Sequence, residues 1–170
     1  EADALVEEYK QLYEIKIDES GEEVYWEKVK NAAKAEIALR RVLADEGATA
    51  FTTNFDDLGC ADIDDPNFVG FDQIPGLASQ RLMAEGIGFG AEGDWKVAAM
   101  VRLMKIMTTG MKDAKGTSML EDYTYNLVPG KEGILQAHML EICPSIAEGD
   151  ISIKCKPLSM GRREDPARLV

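Results

Sequence analysis

Three side chains and one glycine pattern in this 170-residue chain have the types and settings that chemistry requires. Glu92 lies within Gly88-Phe-Gly-Ala-Glu-Gly93, where Gly90 and Gly93 leave the backbone free to bend a carboxylate toward a ligand. Glu121 leads a β-type segment and shares a face with Tyr123 and Tyr125 at a spacing of two. His138 is the chain's single histidine, and alternation places it on one strand face with Ile134, Gln136, Leu140 and Ile142. Each has an ordinary role open to it as well: an exposed loop acid, a strand-edge acid beside packing tyrosines, a hydrogen-bonded core imidazole. Taken together, two carboxylates and one imidazole form an incomplete donor set for a divalent cation. Such donors suit manganese or a similar first-row ion better than thiolate-preferring zinc. A fourth ligand is missing.

The same glycines, Gly88, Gly90 and Gly93, satisfy G-x-G-x-x-G, with Asp113 further on. A dinucleotide fingerprint follows a strand and admits a pyrophosphate. Here a helical pattern ends just before Gly86, and the carboxylate of Glu92 would repel a phosphate at close range. No nucleotide cofactor is expected.

The elements that must position these residues come next. Leu5, Val6, Tyr9, Leu12 and Tyr13 repeat at helical spacing over residues 3–14. Ser20 and Glu23 match a capping box, followed by a helical pattern that stops near Gly47. Ala48–Phe55 reads as a buried strand. Asp56–Gly76 reads as a solvated loop with six aspartates, which lack the alternate spacing and central glycine of a calcium loop. Leu77–Glu85 is helical in pattern behind Pro75. Ile87–Ala91 is a short extended stretch, and Asp94 opens a helix through Val97, Val101, Met104 and Met107. After Gly110 the pattern turns to strands at Met119–Val128, Ile134–Ile142 and Ile151–Leu158, with a turn at Pro129-Gly130. The expected fold is therefore α/β: a layered, Rossmann-like portion over residues 1–112, then an antiparallel, barrel-like β portion over 117–170.

Bulk composition narrows the function classes. Lys and Arg number 19 against 31 Asp and Glu, a net charge of −12, so no nucleic-acid partner is expected. No apolar run reaches the roughly 18 residues of a membrane span, and the N-terminus lacks the order of a signal peptide. Cys60, Cys143 and Cys155 are odd in number and scattered, which fits a reducing, cytoplasmic setting.

Several ordered stretches resemble the L-arabinose isomerase family. They are Ile74-Pro-Gly-Leu-Ala-Ser-Gln-Arg-Leu-Met83, Gly88-Phe-Gly-Ala-Glu-Gly-Asp-Trp-Lys96, Glu121-Asp-Tyr-Thr-Tyr125 and Ala137-His-Met-Leu-Glu-Ile-Cys-Pro-Ser-Ile-Ala147. Pro157-Leu158 and Asp165-Pro-Ala-Arg-Leu169 echo a later family segment. The resemblance implies an aldose–ketose isomerase acting on a sugar, L-arabinose to L-ribulose through an enediol or the related galactose to tagatose. It implies that Glu92 and Glu121 bind the metal, usually Mn2+, and transfer the proton. His138 would be one of two metal-binding histidines, the second lying outside this chain. It further implies a longer, homo-oligomeric protein of which this chain is the end of a central domain and the start of a C-terminal one. Asn126 stands where the family shows His, and Lys156 where His often precedes a Pro-Leu pair; the aspartate-rich insertion over 60–72 is unusual. A reading of another class also stands: a non-catalytic binding or assembly module on a reused isomerase scaffold.

Overall fold

The computed structural model describes residues 1–54, 75–138, 140–155 and 167–170. Helix α1 spans Ala2–Leu12, strand β1 Glu14–Ile15, helix α2 Glu22–Asp45 and strand β2 Ala50–Thr53. Helix α3 (Gly76–Glu85), strand β3 (Gly88–Ala91) and helix α4 (Trp95–Thr108) follow. The hairpin β4 (Asp122–Asn126) and β5 (Gly133–Ala137), a 3-10 turn at Pro144–Ile146, and strands β6 (Ser152–Cys155) and β7 (Ala167–Leu169) complete the described order. The fold is mixed α/β, as the sequence predicts. The aspartate-rich insertion over 60–72, Cys60, Lys156 and the Pro157-Leu158 stretch lie outside the described residues.

Three small sheets are present among the described residues, none of them closed. The expected barrel-like portion is not seen; β6 and β7 instead join β1 in the order β1-β6-β7. Strand β1 runs parallel to β6, with Glu14 opposite Ser152, and β7 runs antiparallel on the far side. The pairing is set by burial. Ile153, Cys155, Ala167 and Leu169 form one core with Val6 and Tyr9 of α1 and Tyr25, Val29 and Ala33 of α2. Two amphipathic helices thus cover one face of a sheet whose strands lie at opposite ends of the chain.

A second core holds Met83, Phe89, Ala91, Val101, Met119 and Cys143. It is built on the parallel pair β2–β3, in register from Ala50↔Gly88 to Thr53↔Ala91. The glycine pattern finds its explanation here. A Cβ on Gly88 would lie 2.2 Å from the Ala98 carbonyl oxygen, and one on Gly90 would lie 2.3 Å from that of Asp94. Gly88 and Gly90 are therefore inside the strand and let α4 press onto it.

Helix α3 bridges the two cores. Leu77 belongs to the first and Met83 to the second. Between them, buried Gln80 donates to the carbonyls of Ile142 and Leu169 and accepts the Leu169 N–H at 2.8 Å. Two local expectations are corrected. The capping box does not form: Gly21 is the N-cap of α2 without a side-chain cap, while Asp18 accepts both the backbone N–H and the hydroxyl of Ser20. A local Asp turn has outcompeted the helix for that hydroxyl. Strand β5 ends at Ala137, so His138 is not part of a face with Leu140 and Ile142.

Candidate functional site

Each site residue is held by a backbone feature that its neighbours dictate. Glu92 sits at the carboxyl end of β3 with φ +57°, followed by Gly93 at +86°. Two successive left-handed residues turn the chain sharply from strand to helix, and Asp94 then caps α4 by accepting the N–H groups of Lys96 and Val97 at 3.0 Å. A Cβ on Gly93 would come within 2.9 Å of the Asn54 side-chain oxygen at the end of β2. The turn is thus wedged between β2 and α4, with the Glu92 side chain exposed.

Glu121 and His138 flank the two ends of the hairpin. Strand β4 pairs with β5 from Asp122↔Ala137 to Asn126↔Gly133. The Glu121 N–H donates to the Ala137 carbonyl at 3.2 Å, extending the ladder to the hairpin's base. At the far end Asn126 donates to the Lys131 carbonyl and accepts the Val128 N–H, so this side chain closes the turn. Tyr123 and Tyr125 share a face with ring centroids 5.3 Å apart, as their spacing predicts, but both are exposed.

Closing the hairpin brings His138 Nε2 to 3.4 Å from Glu121 Oε2. The imidazole is nearly buried, its side chain 6% exposed, whereas Glu121 is 45% exposed. On its other edge, Nδ1 accepts the backbone N–H of Glu141 at 3.1 Å and lies 3.4 Å from Glu141 Oε2. Glu141 was not among the residues singled out in the sequence. The signal available was a lone carboxylate inside the apolar run Leu140-Glu-Ile-Cys143, where an acid needs a partner.

Glu141 senses the other carboxylates. Burial pushes its carboxyl up to about 7, and the charges of Glu121 and Glu92 push in the same direction. The Glu141 backbone N–H and the charge of Arg168 oppose the rise without cancelling it. Negative charge from three loops thus reaches one buried carboxyl. The structure therefore brings Glu121, His138 and Glu141 into contact and sets Glu92 close enough for its charge to reach Glu141. It does not close a cage: among the described residues, no group of three or more His, Cys, Asp or Glu is close enough to hold a metal. A cavity of about 300 Å³ adjoins His138, lined by Gln80, Leu140, Ile142, Arg168 and Leu169 among others.

Chemically, a half-exposed carboxylate beside a near-buried imidazole can accept a proton or a cation, and the exposed Glu92 can approach a ligand from a separate loop. Among the described residues no helix is long and apolar enough to cross a membrane.

Comparison with known proteins bears on which chemistry is used. Residues 1–110 match the family model of the L-arabinose isomerase central domain, and residues 116–170 that of the L-arabinose isomerase C-terminal domain. An L-arabinose isomerase of Nocardioides sp. is 51% identical over 172 residues, covering 100% of this chain and 32% of that protein. L-arabinose isomerase 1 of Bacillus licheniformis is 53% identical over 98% of this chain and 30% of its own length. The L-arabinose isomerase of Geobacillus stearothermophilus is 52% identical over 98% of this chain and 31% of its own. The chain spans about a third of the length of these curated relatives.

Proposed function

The chain belongs to the L-arabinose isomerase family, and from that premise we propose that it supplies the proton-transfer and metal-binding carboxylates of an aldose–ketose isomerase converting L-arabinose to L-ribulose. The observation that carries the reading is the 3.4 Å approach of His138 Nε2 to Glu121 beside a third, buried acid.

Glu92, Glu121 and His138 would hold a divalent first-row cation, Mn2+ being the best match to carboxylate and imidazole donors. The charges of Glu121 and Glu92 that reach Glu141 support that fit, because a divalent cation offsets converging carboxylates. When bound, the ion supplies Lewis-acid polarisation of the sugar carbonyl. Everything else falls to the protein. One of Glu92 and Glu121 removes the proton from the carbon beside the carbonyl, giving an enediol, and the pair returns a proton to the neighbouring carbon. Their separate loops let the two acids reach adjacent carbons from different directions.

Glu141 positions the imidazole. In neutral His138, the Glu141 N–H on Nδ1 leaves the ring proton on Nε2, directed at Glu121. For Nε2 to offer a lone pair instead, the proton must sit on Nδ1, and the Glu141 carboxylate 3.4 Å away is the acceptor there.

The 170 residues hold three ligands of a four-ligand set, so alone they bind metal weakly and turn over little sugar. The test is a chimera in which this chain replaces the matching segment of the full-length Geobacillus stearothermophilus relative. Isomerisation in the chimera that falls by about 100-fold or more in Glu92→Gln and Glu121→Gln supports the reading. Full activity in both variants overturns it in favour of a non-catalytic module.

A further inference from the structure

Between β5 and the 3-10 turn, the stretch from Leu140 to Cys143 has no regular secondary structure, so its backbone polar groups turn to side chains for partners. Three side chains answer. Gln80 Nε2 donates to the Ile142 carbonyl at 3.0 Å. The Ser118 hydroxyl accepts the Cys143 N–H at 2.9 Å. His138 Nδ1 accepts the Glu141 N–H at 3.1 Å. The first two bonds act on a single peptide unit, because the Ile142 carbonyl and the Cys143 N–H belong to one rigid plane and point to its opposite edges.

Neither grip is loose. Gln80 is buried, and two further bonds to β7 fix its amide: Nε2 donates to the Leu169 carbonyl at 2.9 Å, and Oε1 accepts the Leu169 N–H at 2.8 Å. Turning that amide over would set N–H against N–H. The Ser118 hydroxyl gives its own proton to the Met119 carbonyl at 3.0 Å, which leaves a lone pair for Cys143. A third hold comes from Gly76, one turn before Gln80 on the same face of α3. A Cβ there would come within 2.9 Å of Leu140 Cγ, so Leu140 is seated against the bare helix backbone. Glu141 therefore lies between a docked side chain and a gripped peptide, and its N–H has little freedom to turn.

We propose that Gln80 and Ser118 are positioning residues of the isomerase site: clamping the Ile142–Cys143 peptide from both edges, they aim the Glu141 N–H at His138 Nδ1 and so hold Nε2 toward Glu121. Ser118 also lies three residues before Glu121, so one clamp couples the segments that carry both members of the 3.4 Å pair. The consequence for catalysis rests on His138 being a metal ligand, as proposed above; the clamp itself does not.

Nitrogen NMR of the metal-free, tag-free chain tests the clamp, since the single histidine gives one pair of imidazole signals. In mildly alkaline buffer, where imidazoles are neutral, the parent is expected to show two widely separated nitrogen shifts, the proton resting on Nε2. Gln80→Met keeps the side-chain length and loses all three bonds; Ser118→Ala loses one and disturbs no core. In both variants the Glu141 N–H drifts from Nδ1, the proton is shared, and the two shifts move toward each other. Circular dichroism establishes which variants fold, and if Gln80→Met does not, Ser118→Ala decides alone. Parent-like shifts in either folded variant overturn the clamp. Mn2+ binding then separates this inference from the functional reading. In the chimera with the Geobacillus stearothermophilus relative, each variant is expected to weaken binding about tenfold. Converging shifts with unchanged Mn2+ affinity would uphold the clamp and remove the imidazole from the ligand set.

Discussion

His138 and Glu121 face each other at 3.4 Å because the β4–β5 hairpin closes between them, the Glu121 N–H bonding the Ala137 carbonyl one residue short of the imidazole. The site's geometry therefore depends on hairpin register. A slip by one residue would turn Glu121 to the opposite face.

Replacing His138 with Ala removes the one nitrogen donor of the cluster. The expected outcome is a fall of at least about tenfold in Mn2+ affinity, with the fold retained. Electron paramagnetic resonance of free Mn2+ in titrations of the parent and variant chains measures it; equal affinities would show that the imidazole is no ligand.

Glu141→Gln keeps the volume and the backbone N–H but withdraws the carboxylate beside Nδ1. Loss of such a supporting acid weakens metal binding by about 10- to 100-fold. Nitrogen NMR of the imidazole, with and without Zn2+ as a diamagnetic stand-in for Mn2+, should show the parent ring moving its proton from Nε2 to Nδ1 on metal addition and the variant failing to do so.

Gly90→Ala drives a methyl group to 2.3 Å from the Asp94 carbonyl oxygen and 2.7 Å from the Ala98 nitrogen. Backbone cannot yield there without lifting α4, so a loss of about 3 kcal/mol is expected in urea unfolding. Gly133→Ala meets nothing within 4 Å and serves as the control, changing stability by less than about 0.5 kcal/mol. Equal losses at both positions would contradict the packing account.

Glu36 is wholly buried on α2, accepting from the Tyr9 hydroxyl at 2.7 Å, Arg81 Nε at 2.9 Å and Arg40 Nη2 at 2.7 Å. Arg81 continues to Glu8 and Tyr13, tying α1, α2 and α3 together. Glu36→Leu strands a buried guanidinium, and about 3–5 kcal/mol should be lost. Chemical denaturation that detects under 1 kcal/mol would assign the network a minor part.

Acid should weaken one surface link of that network. The hydrogen bond from Arg40 holds the Glu85 carboxyl below its usual range. A depressed carboxylate stabilises the fold above its unfolded pKa, and that contribution disappears as pH falls through the folded value. The effect is modest because Glu85 is half exposed. The Tm of Glu85→Gln should lie below the parent's near neutrality and converge with it below about pH 4; a constant gap at all pH values would point to packing instead.

Much of this chain was legible without coordinates. The apolar stripe of α1, the cap at Asp94, the strand Gly88–Ala91 and the hairpin about Pro129-Gly130 all follow from spacing and turn chemistry, because those preferences act between residues a few positions apart. The candidate site residues Glu92, Glu121 and His138 stood out for their chemical type and setting. Tertiary structure decided what depends on distant partners. The pairing of Glu14 with Ser152, the seating of Gln80 between two backbone carbonyls and the buried ion pair of Glu36 with Arg81 each join segments far apart in sequence. No local pattern encodes such contacts, since the free energy that selects them comes from shared burial after collapse. The same reason explains α4: its sequence shows where apolar side chains recur, but only the packed β3 decides which face is already covered and which is left open.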